Sequence, residues 1–490
     1  MHAKGEERRP MLRRIAGARK RAATTPGHLR TVSLVVAVLA TLLLAVGCAS
    51  LIAASLTVRG IQQRDVPAIV GMAQVRAWLV DADRNAANAY LAGSTSGTLA
   101  QLQFDAESAA TNVDPLGHMS PDDPQMRYQA DIAAASHGLQ TATQQSPGDD
   151  EAIQRLQAIA TSIANYTQLV QTADASEAQD PVAGTLYLEA ASNSMHSRGG
   201  ILTQVEAVRG LYVADLGVAN LTLRITAWML ALYTAVAVVL LGLLVSTQRF
   251  LRIRFRRRRN IPLLVATSLL VMLSVGSGAG AFQASQSIRA AEGQTYARLT
   301  NLWNARAIAY RANGMEALSL IAHGTDAQLD LRFQADTAQL VDRPLTDQLM
   351  GDAERGQVRF NGLLADELRA AGSPGEREPA MQALRAFRQF LLADATVRAR
   401  AANDRLRRPA TIASAPYQDL VSAFSQLDWY LGASIQILQR QFNAAMESAQ
   451  ATLGVTAAFE ALAVVIAALT FRGLQRRIGE YTAGVDRRRW

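Results

Sequence analysis

Four apolar runs divide the chain, at about residues 32–56, 225–246, 261–283 and 452–471. Each is long enough to cross a hydrocarbon core of about 30 Å. Between them the pattern changes to helical spacing. Val75, Trp78, Leu79, Ala82, Ala86 and Ala89 recur at intervals of three and four, and so do Leu427, Leu431, Ile435 and Leu438. Ala, Gln, Leu and Arg dominate these stretches, without the β-branched alternation of strands. The pattern predicts an all-α membrane protein, with four transmembrane helices and two tandem extracytoplasmic four-helix bundles.

The expected order is a basic tail (1–31), a membrane helix (32–56), a first bundle (57–224) and a second membrane helix (225–246). An Arg-rich loop (247–260), a third membrane helix (261–283), a second bundle (284–451), a fourth membrane helix (452–471) and a tail (472–490) follow. The breakers GSTSG (93–97), SPGDD (146–150) and AQDPVAG (178–184) cut the first outer segment into four helices. HGT (323–325), GSPGE (372–376) and RRPATIASAP (407–416) do the same in the second. The halves read as a duplication. At an offset of 230, Ala82, Ala87, Leu91, Ala92 and Thr95 correspond to Ala312, Ala317, Ile321, Ala322 and Thr325.

Charge fixes the expected orientation. The stretch Gln248–Asn260, QRFLRIRFRRRRN, holds seven arginines and no acid between two apolar runs. Short basic loops stay in the cytoplasm. Both termini are then cytoplasmic, the long segments lie outside, and the protein sits in the plasma membrane as a multi-pass chain. The overall net charge is +8, yet residues 1–30, 248–260 and 472–490 carry +7, +7 and +4, so the remainder is acidic. The basicity therefore flanks the membrane. It points to anionic lipid as a partner rather than nucleic acid. The one cysteine, Cys48, rules out a disulfide within the chain and reads as a buried residue of an uncleaved helix, because apolar residues continue through Leu56.

The richest outer stretch is WLVDADRNAANAYLAG (78–93). Asp81, Asn85 and Asn88 fall on one helix face, with Trp78 and Arg84 beside them. Such a face fits an amino-acid-like ligand or a partner; the plain alternative is a solvated surface. The distal turns supply further candidates, acidic in the first half (Glu177, Asp180) and basic in the second (Arg405, Arg407, Arg408). The first outer segment has nine basic and eighteen acidic residues and the second eighteen of each, so the halves are suited to different surfaces or to each other. Inside, Arg256, Arg257, Arg258 and Arg259, with Leu474, Ile478 and Tyr481 on a shared helix face, are candidate docking residues. Glu460 lies in the fourth apolar run, where a carboxylate calls for a protein partner. Gly276 and Gly280 form a GxxxG pair suited to close helix packing. No nucleophile motif, phosphate-binding glycine loop or metal-ligand spacing occurs, so catalytic residues, metal and cofactor are all expected to be none, and the chain is expected not to be an enzyme.

Two rounds of membrane helix, helical outer segment and membrane helix, with DVPAIVGMAQVRAWLVDADRNAANAYLAG (65–93) and RGLQRRIGEY (472–481), resemble the actinobacterial GlnX-type membrane signal transducers. The likeness spans about residues 30–482. It implies a relay in which an extracytoplasmic solute-binding lipoprotein senses aspartate or glutamate. The signal then passes to a cytoplasmic serine/threonine kinase of the PknG type, which adjusts 2-oxoglutarate metabolism. Two rivals stand beside this expectation. One is a receptor whose bundles bind a small molecule directly. The other is a transporter or channel subunit built around Glu460. Whether the membrane helices pair within one chain or in a homodimer is left open.

Overall fold

The computed structural model describes residues 25–93, 124–146, 149–177, 179–255, 261–290, 295–321, 327–403 and 415–486. These are helical almost throughout, with no strand among them. In chain order the helices are α1 (Thr25–Gly60), α2 (Val66–Gly93), α3 (Pro124–Gln145), α4 (Asp150–Glu177), α5 (Pro181–His196), α6 (Ile201–Phe255) and α7 (Ile261–Ala290). Then come α8 (Tyr296–Ile321), α9 (Ala327–Leu340), α10 (Asp347–Glu354), α11 (Leu363–Ala370), α12 (Pro374–Asn403) and α13 (Ala415–Asp486). A π-helical turn, Ile61–Asp65, precedes α2.

Two compact units result. The first gathers residues 1–60, 218–289 and 445–490, and the second residues 61–217 and 290–444. Four helices in the described residues are long and apolar enough to cross a membrane, which makes this a multi-pass membrane protein.

The membrane unit closes around Leu43, Tyr233, Leu240, Leu244, Leu263, Leu270, Leu273 and Ile466, drawn from α1, α6, α7 and α13. Leu34, Ile52, Trp228, Val275, Phe282 and Val455 are exposed, the distribution expected where lipid is the outer solvent. The small residues of α7 lie against α13: Gly276 faces Phe459 and Gly280 faces Thr456. That is the close approach the GxxxG spacing predicts. Cys48 is exposed on α1, not buried as expected. Its neighbours Leu43 and Gly47 occupy the inward positions, and a residue one turn-quarter away faces out. The Arg-rich stretch is not all loop, since α6 stays helical through Phe255.

In the polar unit α2 and α8 are buried on nearly every side. Ile69, Met72, Val75, Leu79, Ala82 and Ala86 of α2, and Leu302, Trp303, Ala305, Tyr310 and Ala312 of α8, are among the most enclosed residues. Small and apolar residues on most of their faces call for cover on most sides. The main neighbours of α2 are α3 and α8, so the two expected bundles share one interface. The start of α8 at Tyr296 lies 230 residues after that of α2 at Val66. The paired helices are thus the equivalent members of the repeat.

The breaker reading misses two features. The first is the break at Ser197–Gly200 between α5 and α6, where Gly199 takes φ +85°. The second is the pair of short helices α10 and α11 in the second half. The turn before α11 depends on Gly362, at φ +117° and packed on the Leu340 carbonyl. A Cβ there meets backbone that cannot yield. Gly362→Ala should therefore destabilise the polar unit by about 1–3 kcal/mol. Gly372→Ala, with nothing within 4 Å of its Cβ position, should stay within about 0.5 kcal/mol. Thermal unfolding of the full chain in nanodiscs checks both, and equal melting temperatures would refute the strain at Gly362.

Candidate functional site

The stretch 78–93 forms the C-terminal part of α2. Its polar residues point inward rather than to solvent, contrary to the plain reading of a solvated face. Arg84 is only 6% exposed and Asn85 1%. Burial at this level demands partners, and the helical register supplies the first ones. Arg84 pairs with Asp81 at 2.6 Å and donates to the Asn85 side-chain carbonyl at 3.0 Å. Asn85 Nδ2 donates to Asp81 at 3.2 Å and to Asp131 of α3 at 2.8 Å.

The second half completes the cluster. The Arg84 guanidinium lies 4.7 Å from the Phe424 ring of α13 and 5.2 Å from the Tyr310 ring of α8. Arg306 approaches the same Tyr310 ring at 5.4 Å. It also grips Asp428 of α13 through Nε and Nη2 at 2.6 and 3.0 Å. Arg84, Tyr310 and Arg306 therefore form a cation–ring–cation arrangement, with Asp81 neutralising one end and Asp428 the other. Each desolvated cation–ring contact is worth up to about 2 kcal/mol. Removing one member of a buried pair costs about 3–5 kcal/mol.

Beside this arrangement lies a cavity of about 450 Å³, lined by Asp81, Arg84 and Arg127 from the first half and by Phe424, Asp428 and Trp429 from α13. Trp429 and Tyr430 meet edge to face at 5.1 Å on its rim. The size suits a small metabolite. A second cavity of about 440 Å³, between Arg76, Glu206, Gly362 and Asp366, has no aromatic lining residue.

Two other buried polar clusters look structural. In the first half Asp83 accepts from the Tyr166 and Ser192 hydroxyls at 3.2 and 2.9 Å and lies 3.0 Å from His196 Nε2. It thereby ties α2 to α4 and α5. In the second, Arg398 bridges Glu316 at 2.6 Å, Asp394 at 2.9 Å and Asp330. Burial, reinforced by Asp394, pushes the Glu316 carboxyl well above the usual range.

The structure thus unites Asp81, Arg84 and Asn85, while Trp78 and Asn88 lie half-buried on the same helix. Trp78 packs near Gly138 of α3. The other expected sites fall elsewhere. Asp180 caps α5, accepting from the amides of Val182 and Ala183 at 3.0 and 3.2 Å. That is a structural task. Glu177 ends α4. Arg405, Arg407, Arg408 and Arg256 to Arg259 lie outside the described residues. Leu474, Ile478 and Tyr481 sit on the helical backbone of α13. Glu460 is 4% exposed and accepts from Ser277 at 3.2 Å. It also packs on Gly47, where a Cβ would come within 2.6 Å of its carboxylate. α1, α7 and α13 meet there.

Sequence reading missed Arg127, Asp131, Arg306, Tyr310, Phe424 and Asp428. One signal was present: DWY (428–430) puts an acid beside two aromatic rings within an apolar helical pattern.

Residues 57–216 match the family model described as the actinobacterial sensor domain. The matched stretch includes all of α2 to α5, and with them Asp81, Arg84 and Arg127. No curated protein and no solved structure matches the chain. The match supports a membrane sensor, with the cavity drawn partly from its sensor-like segment.

Asp131 offers a pH test of the cluster. It is 5% exposed. Burial first, then the Asp81 charge, push its carboxyl well above the usual range. The folded chain holds a proton that the unfolded chain releases near pH 4. Stability from this group is therefore lost as pH climbs from about 4 toward the raised value. Asp131→Asn keeps the shape and never charges. Its melting temperature relative to wild type should rise more at pH 8 than at pH 5. The same difference at both pH values would refute a proton held on Asp131.

Proposed function

We propose that this chain is a non-enzymatic transmembrane signal transducer in the plasma membrane, with both termini cytoplasmic. It relays extracytoplasmic aspartate or glutamate availability, sensed by a solute-binding lipoprotein, to a cytoplasmic serine/threonine kinase of the PknG type. The observation that carries this reading is helix continuity. α6 runs unbroken from Ile201 to Phe255 and α13 from Ala415 to Asp486, so each contributes residues to both compact units. An α-helix is stiff along its axis and transmits a shift or rotation over its length. The sensor-family match over 57–216 supports the input role. The Arg-rich segment after α6 supports the orientation.

A second reading has its own observation. The cavity between α2, α3 and α13 favours direct binding of a small molecule, with the helical unit acting as receptor.

Deleting the gene for this chain should abolish the amino-acid-dependent phosphorylation of the kinase's substrate, and re-expression should restore it. Immunoblotting for the phosphorylated substrate, with and without external aspartate or glutamate, reads this directly. Phosphorylation that follows the amino acid unchanged in the deletion strain refutes the relay.

A further inference from the structure

We infer that the cavity beside Arg84 is a binding site for a small zwitterion, a molecule carrying one carboxylate and one ammonium group, such as a free amino acid. The inference rests on the receptor reading of this cavity and adds the chemistry of its occupant.

Three features of the lining lead there. First, the cavity presents carboxylates backed by rings. The side chains of Asp81 and Asp428 are 14% and 25% exposed, although each already pairs with an arginine. Trp429 is 49% exposed on the rim. Carboxylates with lone pairs to spare, beside an open indole face, attract an ammonium group.

Second, the opposite need is also present. Arg84 and Arg127 line the same cavity. Arg84 spends Nη2 on Asp81 and Asn85, and the positive charge that the two guanidinium groups bring to the cavity wall attracts a ligand carboxylate.

Third, both signs stand on one cavity wall, Asp81 and Asp428 with Arg84 and Arg127. A ligand carrying both signs can answer each set, whereas a singly charged one answers only one. Ser422, Ser425 and Gln426 on the α13 side add neutral hydrogen-bonding groups for a polar side chain.

The cavity takes lining residues from both repeats. Its occupant would therefore bridge α2 and α3 of the first half to α13 of the second. α13 is the helix that continues into the membrane unit.

The test uses the full chain in nanodiscs and isothermal titration calorimetry. The twenty standard amino acids are titrated first. The tightest binder is then compared with two analogues, one lacking the amino group and one lacking the carboxyl group. The zwitterion should bind at least about tenfold more tightly than either analogue. Trp429→Ala, a half-exposed position whose loss leaves the charge pairs intact, should weaken binding about tenfold. Asp428→Asn should reduce the preference for the zwitterion over the analogue without an amino group. Circular dichroism and gel filtration confirm that each variant is folded, and Trp429→Ala keeps the test decisive if Asp428→Asn is not. If a singly charged analogue binds as tightly and Trp429→Ala weakens it, the cavity is a receptor site but the zwitterion inference is overturned. If an amino acid binds and Trp429→Ala leaves its affinity unchanged, the site lies elsewhere and the inference is overturned. If no amino acid binds at millimolar concentration, the zwitterion inference is overturned, while the receptor reading still admits other small molecules.

Discussion

A buried guanidinium joins the two repeats. Arg84 belongs to the first half, yet its two ring contacts, Tyr310 and Phe424, belong to the second. Its alkyl stem packs on Gly314 of α8, where a Cβ would stand 3.5 Å from the Arg84 Cα. Gly314 is also the position equivalent to Arg84 at the repeat offset of 230. The duplication thus sets an arginine of one copy against a glycine of the other, at ordinary van der Waals distance. At a second equivalent pair both copies keep arginine, with different partners. Arg76 donates to Asn304 across the interface at 2.7 Å, while its counterpart Arg306 grips Asp428.

Why charge should sit at this interface follows from the alternative. Two alanine-rich, all-apolar helices offer many nearly equivalent packings, because small side chains interdigitate in several registers. A buried ion pair contributes little net stability, since desolvation offsets most of the Coulomb gain. Its effect is on choice. Any packing that moves Arg84 off the Tyr310 and Phe424 rings gives up both cation–ring contacts, and any that parts Arg306 from Asp428 leaves an uncompensated buried charge. The interface therefore excludes intermediate arrangements, and an element with few allowed arrangements is what a switching protein requires.

Much of this was legible in the sequence for simple reasons. The four membrane helices are long and uniformly apolar, and length alone identifies them. Asp81, Arg84 and Asn85 stand at intervals of three and four, so their clustering was readable before any fold was known. Their burial was not. In α2 the residues between the polar positions are mostly alanine, and an alanine-rich helix has too little contrast to show which face is covered. The partners were further out of reach. Asp428 lies 122 residues from Arg306 in sequence, and nothing local relates the two. The break at Ser197–Gly200 escaped notice because no proline marks it. Asp180 looked like a ligand-facing acid because an N-cap aspartate and a binding aspartate are the same residue in the same kind of turn.

The membrane unit repeats the principle in a different solvent. Glu460 has Ser277 as its donor, and Gly47 leaves the space its carboxyl fills. In hydrocarbon a misplaced carboxyl group has no water to fall back on, so this contact also selects one packing of α1, α7 and α13. α13 carries both Asp428 and Glu460, separated by 32 residues of unbroken helix. One polar anchor on α13 is held by an arginine from α8 and the other by a serine from α7. Neither can change partners without leaving a buried charge or polar group unmatched. A ligand that binds beside Asp428 and favours one arrangement of that anchor biases it only by the difference in its affinity for the two arrangements.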